Sequence, residues 1–99
     1  MTTLPDKEKN LPTPETEPDD KMLHLKMSAF VYNLLIHDFD KLCHLIYRHD
    51  VNEEKFRNAM QHPDIEEQAS QIADLIIERE KEKIITRKAY QKYKKDHNK

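Results

Sequence analysis

The residues best suited to chemistry are two histidines and an aspartate at helical spacing, His37, Asp40 and His44. Side chains three, four and seven positions apart share one face of an α-helix, so these three could present imidazole and carboxylate ligands to a divalent metal. The same face also carries the cations of Lys41 and Arg48, and no second set of ligands accompanies it elsewhere in the chain. The pattern therefore favours a solvated polar face, and we predict no metal site.

Two His-Asp dipeptides, His37-Asp38 and His49-Asp50, are of the kind that helical metal-dependent phosphohydrolases use. Those enzymes need further His and Asp ligands from other helices of a larger domain. The last helix predicted below has no His before His97. A dipeptide alone is a weak signal, and we do not expect this activity.

The chain contains no Gly, which excludes whole classes of enzyme site. Phosphate-cradling loops, the dinucleotide fingerprint and the nucleophile elbow all need Gly for tight turns or close backbone approach. The single cysteine, Cys43, cannot form an intrachain disulfide, and we predict that it packs as a small apolar side chain. We therefore predict a non-enzymatic cytoplasmic protein with no cofactor, no metal and no small-molecule substrate.

Charge and proline are unevenly distributed along the 99 residues. Four of the five prolines lie in residues 1–18, where only Leu4 and Leu11 are large and apolar. Such a segment cannot bury enough surface to offset its ordering entropy, so we predict a disordered tail. The net charge is −4 over residues 1–20, −4 over residues 21–82 and +6 over residues 83–99. The domain boundaries that we predict are a tail at 1–18, a helical core at 19–82 and a basic helical extension at 83–99.

The hydrophobic pattern predicts an all-α fold. Asp19 or Asp20 is a suitable N-cap for a first helix, which the helical spacing of apolar residues carries to near His49. Residues 23–27 alternate between apolar and polar and could form a short strand instead. We prefer a helix there because nothing else in the chain resembles a strand partner.

Two further helices follow. Asn52 is a good N-cap for a short helix to about Gln61, and Pro63 separates it from a long helix over 65 to roughly 93. We predict a small bundle in which the two long helices pack antiparallel and the short helix closes the turn. The core should contain the apolar residues of the first helix and those of the last helix up to Ile77.

The first helix has a broad apolar arc, and the rest of a domain this small offers limited cover for it. The short helix and the tail could supply that cover, but a second copy or another protein relieves the demand more simply. We therefore predict a homodimer, a contact with a larger partner, or both. The predicted contact residues are Phe30, Leu34, Leu35, Phe39, Leu42 and Ile46.

The basic extension is the second candidate contact. Its cations could neutralise phosphates and its tyrosines could stack on bases, although a solvated helix end has the same composition. Its apolar face is thin, which disfavours a membrane surface. Our leading hypothesis is a helical protein interaction module, and the alternative is a small nucleic-acid-binding regulator. The residues predicted to bind an acidic partner or nucleic acid are Lys83, Arg87, Lys88, Tyr90, Lys92, Tyr93, Lys94 and Lys95.

Overall fold

The computed structural model describes residues 11–97, with side chains through residue 93. Within that range every regular element is helical and no strand occurs, so the all-α prediction is confirmed. The four helices are α1 (Asp20–His37), α2 (Phe39–Arg48), α3 (Glu53–Met60) and α4 (Ile65–His97). Residues 23–27 belong to α1, and the alternative of a short strand there is wrong.

Short polar side chains begin the helices where the sequence predicts. The carboxylate of Asp19 accepts a hydrogen bond from the Lys21 N–H at 3.0 Å. The side-chain oxygen of Asn52 accepts one from the Lys55 N–H at 3.0 Å, and Asp64 likewise accepts from the first turn of α4. Each of these bonds satisfies an N–H that has no partner inside its helix.

The prediction of one continuous first helix to near His49 is wrong, because the helix is interrupted at Asp38. Asp38 has φ −156° and ψ 72°, which is not helical. Its N–H still donates to the Leu34 carbonyl at 2.9 Å, which closes α1. Its carboxylate accepts from the Lys41 N–H at 3.1 Å, which opens α2. A short acidic side chain can compete with the helical ladder in this way, and the chain changes direction between α1 and α2.

The core lies mainly between α1 and α4, which share the largest helix–helix contact among the described residues. The buried residues of α4 end at Ile77, as predicted. Beyond that point α4 continues for several turns with no buried side chain through residue 93. The buried core residues are Leu11, Leu23, Met27, Val31, Leu34, Leu42, Leu45, Ile46, Val51, Ala59, Ala69, Ile72, Ala73, Ile76 and Ile77.

Part of the predicted N-terminal tail packs against the helices. Residues 1–10 of that tail lie outside the described residues. Leu11 is buried in the core. The side chain of Glu17 accepts a hydrogen bond from the Lys26 ammonium at 2.8 Å, and Glu15 lies 3.7 Å from the Arg87 guanidinium. The segment before α1 therefore runs along both α1 and α4 instead of leaving the domain at residue 18.

Candidate interaction surface

Helix α1 is apolar on two opposite faces. One face is buried against the core and contains Leu23, Met27, Val31 and Leu34. The opposite face of α1 is largely exposed, and the exposed Phe39 at the start of α2 follows it in the sequence. We call this second row the α1 seam. It comprises Met22, Leu25, Ala29, Tyr32, Ile36 and Phe39.

The α1 seam is a row of side chains that lie on one side of the helix. From Met22 to Ile36 its members alternate three and four positions apart, which is the spacing that keeps residues on one helix face and that two paired helices use at their contact. Phe39 lies past the interruption at Asp38 and is included because it is exposed. Four of them are large and substantially exposed: 41% for Met22, 65% for Leu25, 49% for Ile36 and 43% for Phe39. Ala29 is also exposed, whereas Tyr32 is partly buried against the core. Large exposed apolar side chains that share one surface often mark a site of protein contact.

The residues predicted for the partner contact divide between the core and the surface. Leu34, Leu42 and Ile46 are buried by the chain's own helices. Phe30 and Leu35 are partly buried and pack against that core. Of the predicted set, only Phe39 belongs to the α1 seam.

The interruption at Asp38 explains this division. A continuous helix would place Phe39 on the same face as Val31 and Leu35, and the prediction assumed that face. Because α2 starts anew at residue 39, Phe39 is exposed while Leu42 and Ile46 turn inward. Sequence reasoning missed Met22 and Leu25, because it considered residues 23–27 only for the choice between helix and strand. The alternating spacing of three and four from residue 22 to residue 36 was the available signal.

Apart from the α1 seam, the described residues form a concave surface between α2, α3 and α4. It is an open groove of about 920 Å³. The Arg79 guanidinium lies in it and donates to the Asp50 carboxylate and to Glu82, each at 3.1 Å. The bond to Asp50 raises the pKa of Arg79 above its usual range. The guanidinium of Arg79 is therefore held by two acids of the same chain.

The thiol of Cys43 also lines this groove. Burial raises the pKa of Cys43, and the negative charge of Asp40 raises it further. A reactive cysteine needs the opposite shift, because the thiolate is the nucleophile. The thiol therefore lacks the activation that nucleophilic catalysis requires.

The structure brings together a histidine, a serine and an aspartate that the sequence analysis did not single out. Nε2 of His24 lies 3.3 Å from the Ser70 hydroxyl and 3.1 Å from the Asp74 carboxylate. In a catalytic triad the serine and the acid contact different nitrogens of the histidine ring. One nitrogen accepts the proton of the serine, and the N–H of the other nitrogen donates a hydrogen bond to the acid. Here both contacts use the same nitrogen. The cluster is a polar link between α1 and α4 and lacks the geometry of a hydrolytic site.

The predicted polar face of His37, Asp40 and His44 is exposed, and the interruption at Asp38 places His37 on a different helix from the other two. Among the side chains that the structure describes, which reach residue 93, no three His, Cys, Asp or Glu are arranged to hold a metal ion. Across residues 11–97, no helix combines the length and apolar character needed to cross a bilayer.

The basic extension is partly engaged by acids of the same chain. Lys83 lies 3.9 Å from Glu80, and Arg87 lies 3.7 Å from Glu15. The exposed members of the predicted set beyond them are Lys88, Tyr90, Lys92 and Tyr93. Lys94 and Lys95 lie in the helix, but their side chains fall outside the described residues.

No protein-family model matches the chain, and searches of curated proteins and of solved structures return no match. The described residues define an all-α protein with an exposed apolar helix face. Its function is therefore inferred from that surface.

Proposed function

We propose that this protein is a non-enzymatic helical interaction module that binds another helix through the α1 seam. The observation that carries the proposal is the exposed apolar row opposite the buried face of α1, in which Leu25 is exposed by 65%. Covering one large aliphatic side chain contributes about 1.5–3 kcal/mol when burial is complete. Several such residues in one row supply enough driving force for a specific contact.

The rest of the fold supports this role because α4 packs against the buried face of α1 and fixes its position. We infer that α1 and α4 run antiparallel. Asp20 accepts from the Lys81 ammonium at 3.0 Å, and His24 lies 3.1 Å from the Asp74 carboxylate. From Asp20 to His24 along α1, the contacted residue of α4 goes back from Lys81 to Asp74. Contacts that run in opposite directions along the two helices indicate an antiparallel pair. Because α4 already holds α1 in place, the α1 seam loses little conformational entropy when it binds a partner.

Two kinds of protein contact follow. The α1 seam would bind a helix, either from a second copy or from a larger partner. The basic extension would add a charge-guided contact with an acidic surface, which raises the association rate more than the affinity. The two surfaces lie on different helices, so a single variant can disable one without touching the other.

Site-specific photo-crosslinking of the full chain in cells tests the module. A photoreactive amino acid at position 25 should give discrete adducts, whether with a second copy or with another protein. The control position is Ile85, which is 67% exposed on α4 and outside the α1 seam. Absence of discrete adducts at positions 25 and 36, with normal helicity, would mean that the seam is unoccupied and would overturn the proposal.

A second candidate function is a small nucleic-acid-binding regulator. The observation that favours it is the exposure of Lys88 and Lys92 next to Tyr90, which is 61% exposed, at the basic end of α4. Lysines bind phosphates, and an aromatic ring stacks on bases of any sequence. This function would use the end of α4 and leave the α1 seam free.

A further inference from the structure

We propose that the occupant of the α1 seam is the same seam of a second copy, with the two α1 helices antiparallel about a two-fold axis at Ala29. This inference rests on the proposed function, because it names the partner of the same surface. It also sets the orientation and register of the two chains.

The spacing of the α1 seam is nearly symmetric about Ala29. Met22 and Ile36 lie seven positions before and after it, and Leu25 and Tyr32 lie four before and three after. In an antiparallel pair, Met22 of one copy therefore meets Ile36 of the other, and Leu25 meets Tyr32. The two alanines face each other at the axis. A small residue at that point lets the helices approach to the usual 8–10 Å or so between axes.

Charge favours the antiparallel orientation over the parallel one. Lys21 and Lys26 flank the first half of the α1 seam, and the exposed Asp40 follows its end. A parallel pair would place Lys21 of one copy beside Lys26 of the other, because residues that flank the contact on opposite sides and lie five positions apart meet across parallel helices. An antiparallel pair about Ala29 separates them, since it places Lys21 opposite His37 and Lys26 opposite Tyr32. The two helix dipoles also oppose one another in that orientation.

The size of the contact suits a dimer of moderate strength. The part of the α1 seam within α1, from Met22 to Ile36, spans about 21 Å along the helix. Stable interfaces bury about 800 Å² on each partner, and contacts at the small end of the range are transient. Four large exposed side chains and the flanking lysine stems place this contact near that lower end. We therefore expect a dissociation constant roughly in the micromolar range.

Cysteine cross-linking of the full chain tests the geometry. In a Cys43→Ser background, Ala29→Cys should form a disulfide-linked dimer under mild oxidation, since the two positions meet at the axis. Met22→Cys and Ile36→Cys should each cross-link poorly alone but should cross-link when the two variants are mixed. Ile85→Cys, on exposed α4 surface, should not cross-link under the same conditions. Efficient self-linking of Met22→Cys with no mixed product would indicate a parallel pair and would overturn this geometry.

Sedimentation of the uncross-linked chain supplies the second measurement. The wild type should show a concentration-dependent monomer–dimer equilibrium. Leu25→Lys should weaken it by at least about tenfold, because an unpaired charge would lie in the contact, and Ile85→Lys should leave it unchanged. Circular dichroism confirms that both variants remain folded.

A wild type that stays monomeric well above micromolar concentration overturns the dimer. In that case, discrete photo-adducts with another protein at position 25 would leave the interaction module intact and only its partner misassigned. A monomer with no adduct at all would overturn both proposals. The two failures are therefore distinguishable.

Discussion

The carboxylate of Asp38 accepts a hydrogen bond from the Lys41 N–H at 3.1 Å, and this bond opens α2, which only Asp38 separates from the end of α1. The same residue's N–H donates to the Leu34 carbonyl at 2.9 Å. Asp38 thus closes one helix and opens the next. The interruption decides which side of the chain Phe39 occupies, because Phe39 is exposed while Leu42 and Ile46 of the same helix are buried.

Removing the cap at Asp38 should cost stability. We expect Asp38→Ala to lower the free energy of unfolding by about 1 kcal/mol, because the first turn of α2 loses the acceptor for an N–H. Asp38→Asn should cost much less, since an amide oxygen caps as well as a carboxylate. Urea denaturation followed by circular dichroism measures both. Equal stability of wild type and Asp38→Ala would show that the cap contributes nothing to α2.

Most of the helical framework could be predicted from local signals. Asp19 and Asn52 are short side chains that accept from free N–H groups, and Pro63 disfavours helix for the residue before it. The fading of apolar residues after Ile77 marked the end of the core within α4. Each of these signals acts within a few residues, so a single sequence suffices to detect it.

The interruption at Asp38 could not be predicted in the same way. Aspartate occurs inside helices as well as at their ends, and the apolar period continues through it. Leu42 and Ile46 pack into a core cluster that also contains distant residues of α4, and a local reading of the sequence does not include that packing. The burial of Leu11 has the same origin, because a proline-rich segment with one leucine carries no local sign that the core will accept it.

Loss of the Leu11 side chain should destabilise the domain although it lies in a proline-rich segment. Leu11 is 7% exposed and belongs to the core cluster. We expect Leu11→Ala to lower the free energy of unfolding by about 2 kcal/mol, the lower end for a buried leucine. Glu15→Ala removes only a loose surface ion pair and should cost less than about 0.5 kcal/mol. A Leu11→Ala variant as stable as Glu15→Ala would show that the segment does not pack in solution.

Cys43 should react slowly with an alkylating reagent. Burial and the charge of Asp40 both raise the pKa of this thiol, so less thiolate is present at a given pH near 8 than for an ordinary cysteine. The alkylation rate with iodoacetamide should rise with pH as the thiolate forms. Asp40→Asn removes one cause and lowers the pKa, so its rate at fixed pH should exceed that of the wild type.

Mass spectrometry of the intact chain measures that rate, and Asp64→Asn serves as the control because Asp64 is not among the causes of the shift. A wild-type rate equal to that of an unfolded control would contradict the prediction. So would an identical rate for wild type and Asp40→Asn.

The basic end of α4 supplies the measurement that separates the two functions. If the protein is a nucleic-acid-binding regulator, log affinity for a single-stranded oligonucleotide should fall linearly with log salt. The double substitution Lys88→Gln and Lys92→Gln should then reduce the slope by about 1.4, since each lost phosphate contact removes about 0.7 on a single strand. Lys21→Gln with Lys55→Gln makes the same change in net charge away from this end and should leave the slope nearly unchanged.

Equal loss in both double variants would mean a general charge effect and would count against a specific site. Absence of binding even at low salt would remove the regulator from consideration. The exposed lysines would then remain as a charge-guided contact for an acidic protein, which uses the same electrostatic attraction without the counterion release that a nucleic acid provides.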